Sequence, residues 1–150
     1  MKGLLAALLL LLGLACSTDI ALAQAQRAAA STTPIKVVYH LTAGLDEAQH
    51  AMGNIRNHLR ADPSVKIVVV GNGKGIEFML DGAKDQNGYP FDATIQQLKT
   101  QGVDFRLCAN SLTARRIDKS KVVPDVTIVE SGVAEVARLE AREGFVYLRP

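Results

Sequence analysis

The chain has 150 residues, 48% of them hydrophobic and 21% charged, with a formal net charge of +2. That length suits one ordinary domain, and the balance excludes an intrinsically disordered chain. The weak charge excludes the basic excess of a nucleic-acid binder, and with no Trp and 5% aromatic residues the core has to be aliphatic.

The N-terminus reads as a targeting segment. Lys2 precedes an uncharged apolar run over residues 4–15. A bilayer span needs roughly 20 apolar residues, so this run fits the hydrophobic part of a signal peptide instead. Ala21-Leu22-Ala23 offers a small-x-small cleavage site. Residues 1–23 are therefore predicted to be a signal peptide, which places the protein in the periplasm with no transmembrane span in its mature form. Gly13-Leu14-Ala15-Cys16 offers a competing route, a loose lipoprotein box with lipid on Cys16. Cleavage after Ala23 removes Cys16 and leaves Cys108 as a single cysteine in an oxidising compartment. Such a cysteine is buried and inert, paired between chains, or chemically used. Residues 24–34, rich in Ala, Ser, Thr and Gln, read as a disordered tether ahead of a domain over 35–150.

Residues 35–41 are mostly apolar and β-branched, the pattern of a buried parallel strand. Leu45, Ala48, Met52, Ile55 and Leu59 then recur at helical spacing, with Asp46 as the expected cap and Asp62-Pro63 as the stop. Residues 65–70 form a second strand that runs into Gly71-Asn72-Gly73-Lys74-Gly75 and a short helix over 76–80. Residues 84–90 form a loop. Asp92 is the expected cap of a helix whose Ile95 and Leu98 face inward, ended by Gly102. Residues 103–108 alternate: Val103, Phe105 and Leu107 share one face of a strand, and Asp104, Arg106 and Cys108 share the other. A short helix is expected from Asn110 or Ser111. A strand follows at 126–129. Ser131 then caps a helix over 133–142 that closes at Gly144, and a last short strand covers 145–148. This alternation predicts an α/β domain, an open parallel sheet with helices on both faces, as in a three-layer α/β/α fold of flavodoxin-type appearance.

The chemistry gathers at strand C-termini, the edge where ligands bind in such sheets. Cys108 ends a strand and precedes a helix start, whose free N–H groups favour a thiolate. Arg106 shares its strand face. Arg115 and Arg116 follow about a turn later, and Asn110 or Ser111 can donate a hydrogen bond to sulfur or to a bound oxyanion. His40 ends the first strand and can act as a base or orient the thiol. Gly71, Asn72 and Gly73 form a possible anion-binding loop. That loop lacks the Ser or Thr of a P-loop after Lys74 and the third glycine of a dinucleotide loop, where Ile76 stands. The three histidines, His40, His50 and His58, share no metal-ligand spacing with one another or with Cys108, and no metal or organic cofactor is expected.

Several segments together suggest a family. They are Lys36-Val37-Val38-Tyr39-His40, Ile55-Arg56-Asn57-His58-Leu59 and Val68-Val69-Val70-Gly71. Gly102 through Leu112, Gly132-Val133 and Gly144-Phe145-Val146-Tyr147 complete the set. Over about residues 35–150 the chain resembles the DsrE/DsrF-like sulfur-relay family. The resemblance implies a five-stranded parallel sheet, assembly into a homo-oligomer, and a match of Cys108 to the family cysteine, which carries sulfur as a persulfide. Ser111 stands where that family suggests Thr and keeps the hydroxyl. The expected function is sulfur trafficking by a Cys108 persulfide between a sulfur donor and an acceptor thiol protein. The alternatives are a small-anion or nucleotide binding module at the strand edge, with Cys108 as packing, and a non-catalytic subunit of an oligomer.

Overall fold

The computed structural model describes residues 33–150; the expectations for residues 1–32 lie outside them. In chain order the elements are β1 (Lys36–Leu41), α1 (Leu45–Ala61), β2 (Lys66–Gly71), a 3₁₀ helix (Gly73–Met79) and α2 (Phe91–Thr100). Then come β3 (Asp104–Cys108), α3 (Ala109–Ala114), a 3₁₀ turn (Lys119–Lys121), β4 (Val126–Val129), α4 (Gly132–Glu143) and β5 (Val146–Leu148). The strands form one five-stranded sheet in the order β4-β3-β2-β1-β5, and every neighbouring pair is parallel. Among the described residues no helix is long and apolar enough to cross a membrane.

β1 and β2 sit inside the sheet and are covered on both faces, which is why they read as mostly apolar runs. Their alternating side chains divide the core. Val37, Tyr39, Leu41, Ile67, Val69, Phe105 and Leu107 pack under α1, the 3₁₀ helix and α2. Val38, Val68 and Val70 pack under Val136 and Leu139 of α4. The helices lie on both faces, but unequally. The chain steps β1 to β2 to β3 to β4 in one direction, so those crossovers share a face. The return to the far side of β1 puts α4 on the other.

Two of the expected helix caps do not cap. Asp46 does not cap α1: Gly44 holds the N-cap position with φ of 101°, and the Glu47 carboxylate accepts the N–H groups of Thr42 (2.5 Å) and Ala43 (2.6 Å). The longer Glu side chain reaches back to free donors that Asp46 does not reach. Asp92 likewise lies inside the first turn of α2, which begins one residue earlier, after Pro90. Ser131 does cap α4, and Gly144 closes it in the left-handed region.

On the α4 face, the polar side of β3 is neutralised. Arg106 pairs with Asp104 at 2.6 Å and with Glu135, and Glu135 also pairs with Arg138 at 2.8 Å. Glu135 is 12% exposed, and the two guanidinium groups hold its pKa down at about 2, against 4.5 for an ordinary Glu. The hydrogen bond from Arg138 leads, and Arg106 adds to it against the cost of burial. A carboxyl with a lowered folded pKa contributes stability that is complete above about pH 4.5 and is lost as the pH falls toward about 2. Glu135→Gln is expected to remove about 2 kcal/mol at neutral pH, after allowance for partial solvent screening. It should also flatten acid unfolding between those two pH values. Urea titrations of both proteins across that range check it.

Candidate functional site

Strand order decides where the crevice opens. The chain leaves β3 toward one face of the sheet and leaves β4 toward the other, so the C-terminal ends of β3 and β4 form the switch point of this sheet. Cys108 is the last residue of β3 and pairs in register with Val129 at the end of β4. Its sulfur therefore lies where the starts of α3 and α4 diverge.

α3 begins at Ala109, earlier than the sequence suggests, which makes Cys108 itself the N-cap residue. Cys108 is 5% exposed and lines a cleft of about 350 Å³ with Asn72, Gly73, Asn110, Ser111 and Arg115, and with Ser131 and Val133 from the start of α4. Asn72, Asn110, Ser111, Arg115 and Ser131 supply the polar groups of that cleft, and the thiol is recessed within it. Gly132 makes this geometry possible. A Cβ there would lie 3.2 Å from the Cys108 Cβ and 3.0 Å from the Asn72 Cβ. Without it, the first turn of α4 comes down directly on the cysteine.

Burial pushes the Cys108 thiol up. The Ser111 hydroxyl and the backbone N–H groups of Gly132, Ser111 and Asn110 outweigh it, and the pKa lies below that of an ordinary thiol. The Ser111 oxygen accepts the Gly73 N–H at 2.8 Å, which leaves its own hydrogen free to turn toward sulfur. Ser111→Ala is expected to move the midpoint of thiol alkylation to higher pH and to slow alkylation at neutral pH about threefold or more, as the thiolate fraction falls. Ser111→Thr should keep the original profile. Rates of iodoacetamide labelling across pH check both.

The remaining candidates divide into two groups. Asn110, Ser111, Arg115, Asn72 and Gly73 share the cleft with Cys108. Arg115 is tied there by the Glu77 carboxylate (2.6 Å) and the Gly73 carbonyl (3.3 Å). His40 and Arg106 do not line the cleft. Arg106 is turned to Asp104 and Glu135, with its charge balanced by theirs. His40 stands two strands away and meets the cleft only through Asn72, at 2.9 Å. The glycine loop is a strand-to-helix turn whose N–H groups are largely engaged. Asn72 donates to Leu41, Gly73 to Ser111 and Gly75 to Asn72. Among the described residues no group of three or more His, Cys, Asp or Glu side chains is placed to hold a metal ion.

Sequence reasoning missed three contributors: Gly132, whose missing side chain admits α4; Val133, exposed on the cleft rim; and Tyr147, which touches His40. Ser131-Gly132 directly after a strand was the one available signal, since it puts a second helix start beside whichever strand neighbours β4.

A family model described as the DsrE/DsrF-like family matches residues 17–144. The solved structures that resemble the chain include the following two. One, from Methanobacterium thermoautotrophicum, is described as the protein of unknown function MTH1491. It is 28% identical with a TM-score of 0.67, over 77% of this chain and 99% of that one. The other is the ychN protein from E. coli, 17% identical with a TM-score of 0.62, over 79% of this chain and 100% of that one. At that identity the second likeness concerns the fold alone. No curated protein sequence matches the chain.

Proposed function

This chain belongs to the DsrE/DsrF-like family, and from that premise we propose that it traffics sulfur as a persulfide on Cys108. One observation carries the reading. The only cysteine among the described residues stands at the sheet's switch point, at the foot of a cleft, with donors on several sides that favour its thiolate. The Cys108 thiolate attacks the outer sulfur of a donor persulfide or polysulfide. A sulfur–sulfur bond forms to Cys108, the donor's own sulfur–sulfur bond breaks, and the electron pair leaves with the donor thiolate. An acceptor thiolate then attacks the outer sulfur and returns Cys108 to its starting form. The exchange balances in atoms and electrons with no further group.

The proposal extends to the setting. The leader pattern over residues 1–23 supports work in the periplasm, between a donor and an acceptor thiol protein. Self-association is supported by the β5 edge, where Val146, Tyr147 and Leu148 stay exposed.

The test is intact-protein mass spectrometry after exposure to inorganic polysulfide, with peptide mapping. The expected result is one added sulfur per chain on Cys108, removed by an acceptor thiol. If Cys108 takes up no sulfur under conditions where iodoacetamide labels it, the carrier function is wrong.

A further inference from the structure

Asn72 is half-buried at the edge of the Cys108 cleft. Its backbone is held at both ends: the N–H donates to the Leu41 carbonyl at 3.0 Å, and the carbonyl accepts from Gly75 at 2.9 Å. Its side chain is held at one end only. The Oδ1 atom lies 2.9 Å from His40 Nε2, while His40 Nδ1 lies 3.1 Å from the Tyr147 hydroxyl. The His40 and Tyr147 rings meet edge to face at 5.7 Å.

These contacts run in one direction. An amide oxygen can only accept, so His40 carries its proton on Nε2. In the neutral ring Nδ1 is then an acceptor, and the Tyr147 hydroxyl donates to it. The chain of donation runs from β5, through the end of β1, to the edge of the cleft. Its consequence falls on Asn72, whose oxygen is turned toward His40, leaving the two Nδ2 donors as the free end of the amide. No buried side-chain nitrogen or oxygen among the described residues lacks a partner, which puts that free end in contact with solvent.

We propose that Asn72 is the recognition group of the cleft, that its Nδ2 donors select an anionic group on the reagent approaching Cys108, and that His40 and Tyr147 are positioning residues that keep the amide this way round. The inference rests on Cys108 as the working group and names the charge class of its reagent. The one cationic side chain lining the cleft, Arg115, is already paired with Glu77, so a neutral amide donor decides the preference.

Iodoacetate and iodoacetamide test this as a pair, on the full chain and with labelling of Cys108 read by peptide mapping. Both react by one step: the thiolate forms a bond to carbon, the carbon–iodine bond breaks, and iodide leaves with the electron pair. A change in thiolate fraction or in access scales both rates together, so their ratio isolates recognition of the charged end. Asn72→Ala removes both Nδ2 donors and adds no charge. It is expected to lower the iodoacetate-to-iodoacetamide ratio about tenfold through loss of hydrogen bonds to the charged end. His40→Leu should lower the ratio severalfold, and His40→Gln, which keeps an N–H donor, should restore it in part. Tyr147→Phe removes one oxygen at an exposed edge, leaves folding intact and should lower the ratio about twofold through loss of one hydrogen bond.

An unchanged ratio in Asn72→Ala overturns the recognition role. Unchanged ratios in both His40→Leu and Tyr147→Phe overturn the positioning role. No sulfur donor enters this experiment, so its failure is separate from failure of the carrier function. A chain that shifts the ratio but takes up no sulfane sulfur keeps the inference and loses the carrier function.

Discussion

Cys108→Ser is expected to abolish sulfur loading, with uptake from polysulfide falling about 100-fold or more, while the fold survives. The loss follows from ionisation: a Ser hydroxyl does not ionise near neutral pH, and an alkoxide is not available to attack sulfur. The survival follows from position. Cys108 is the N-cap residue of α3, and Ser is a preferred N-cap residue that is close to Cys in size. Thermal unfolding should therefore stay within a few degrees of the parent protein. Mass spectrometry with peptide mapping reads the result, and mapping matters because the full sequence also contains Cys16. Sulfur that still appears at the parent rate in Cys108→Ser, at any other site, would remove Cys108 from the chemistry. Unfolding of the variant would instead contradict the N-cap geometry.

Gly75→Ala is expected to cost about 3 kcal/mol or more and to lower Tm by about 10 °C or more. The 3₁₀ helix crosses the end of β1 so closely that a Cβ at Gly75 would lie 2.0 Å from the Leu41 carbonyl oxygen and 2.6 Å from the Thr42 nitrogen. Both are backbone atoms, so no side chain can swing away to relieve the overlap. The Leu41 carbonyl also accepts the N–H of Asn72. Displacing it therefore disturbs the cleft edge along with the sheet, and cysteine labelling should change too. Gly53→Ala is the control of opposite sign. Gly53 lies within α1 with nothing within 4 Å of its added Cβ, and Ala there should stabilise by roughly 0.5–1 kcal/mol. Calorimetry on the two variants reads both signs. A Gly75→Ala protein as stable as its parent would show that the 3₁₀ helix does not sit this close to β1.

Much of the fold was legible because each strand left a local signature. β1 and β2 read as mostly apolar runs because both of their faces are covered, and β3 alternates because α4 meets its second face with charge instead of aliphatic side chains. Helix starts were less legible. Asp46 and Asp92 both looked like caps, yet a flanking Gly44 and Pro90 hold those positions, and which side chain reaches the free N–H groups depends on backbone angles that composition does not record. Arg106 shows the same limit at the site. Its place on the strand face of Cys108 was readable, but the Glu135 that claims it lies 29 residues further on, in a helix whose position only the folded sheet sets.

By itself the sequence determined an aliphatic α/β domain with parallel strands, and it singled out Cys108 at a strand end with Asn110 and Ser111 beside it. These follow from period, composition and neighbours within a few residues. Tertiary structure alone decided that β4 lies beside β3 while β5 lies beside β1. That order sends α3 and α4 to opposite faces at Cys108, brings the Gly132 N–H to its sulfur, and joins Tyr147 to Asn72 through His40. Strand order is a non-local choice, made by which faces can be buried together, and no window along the chain encodes it.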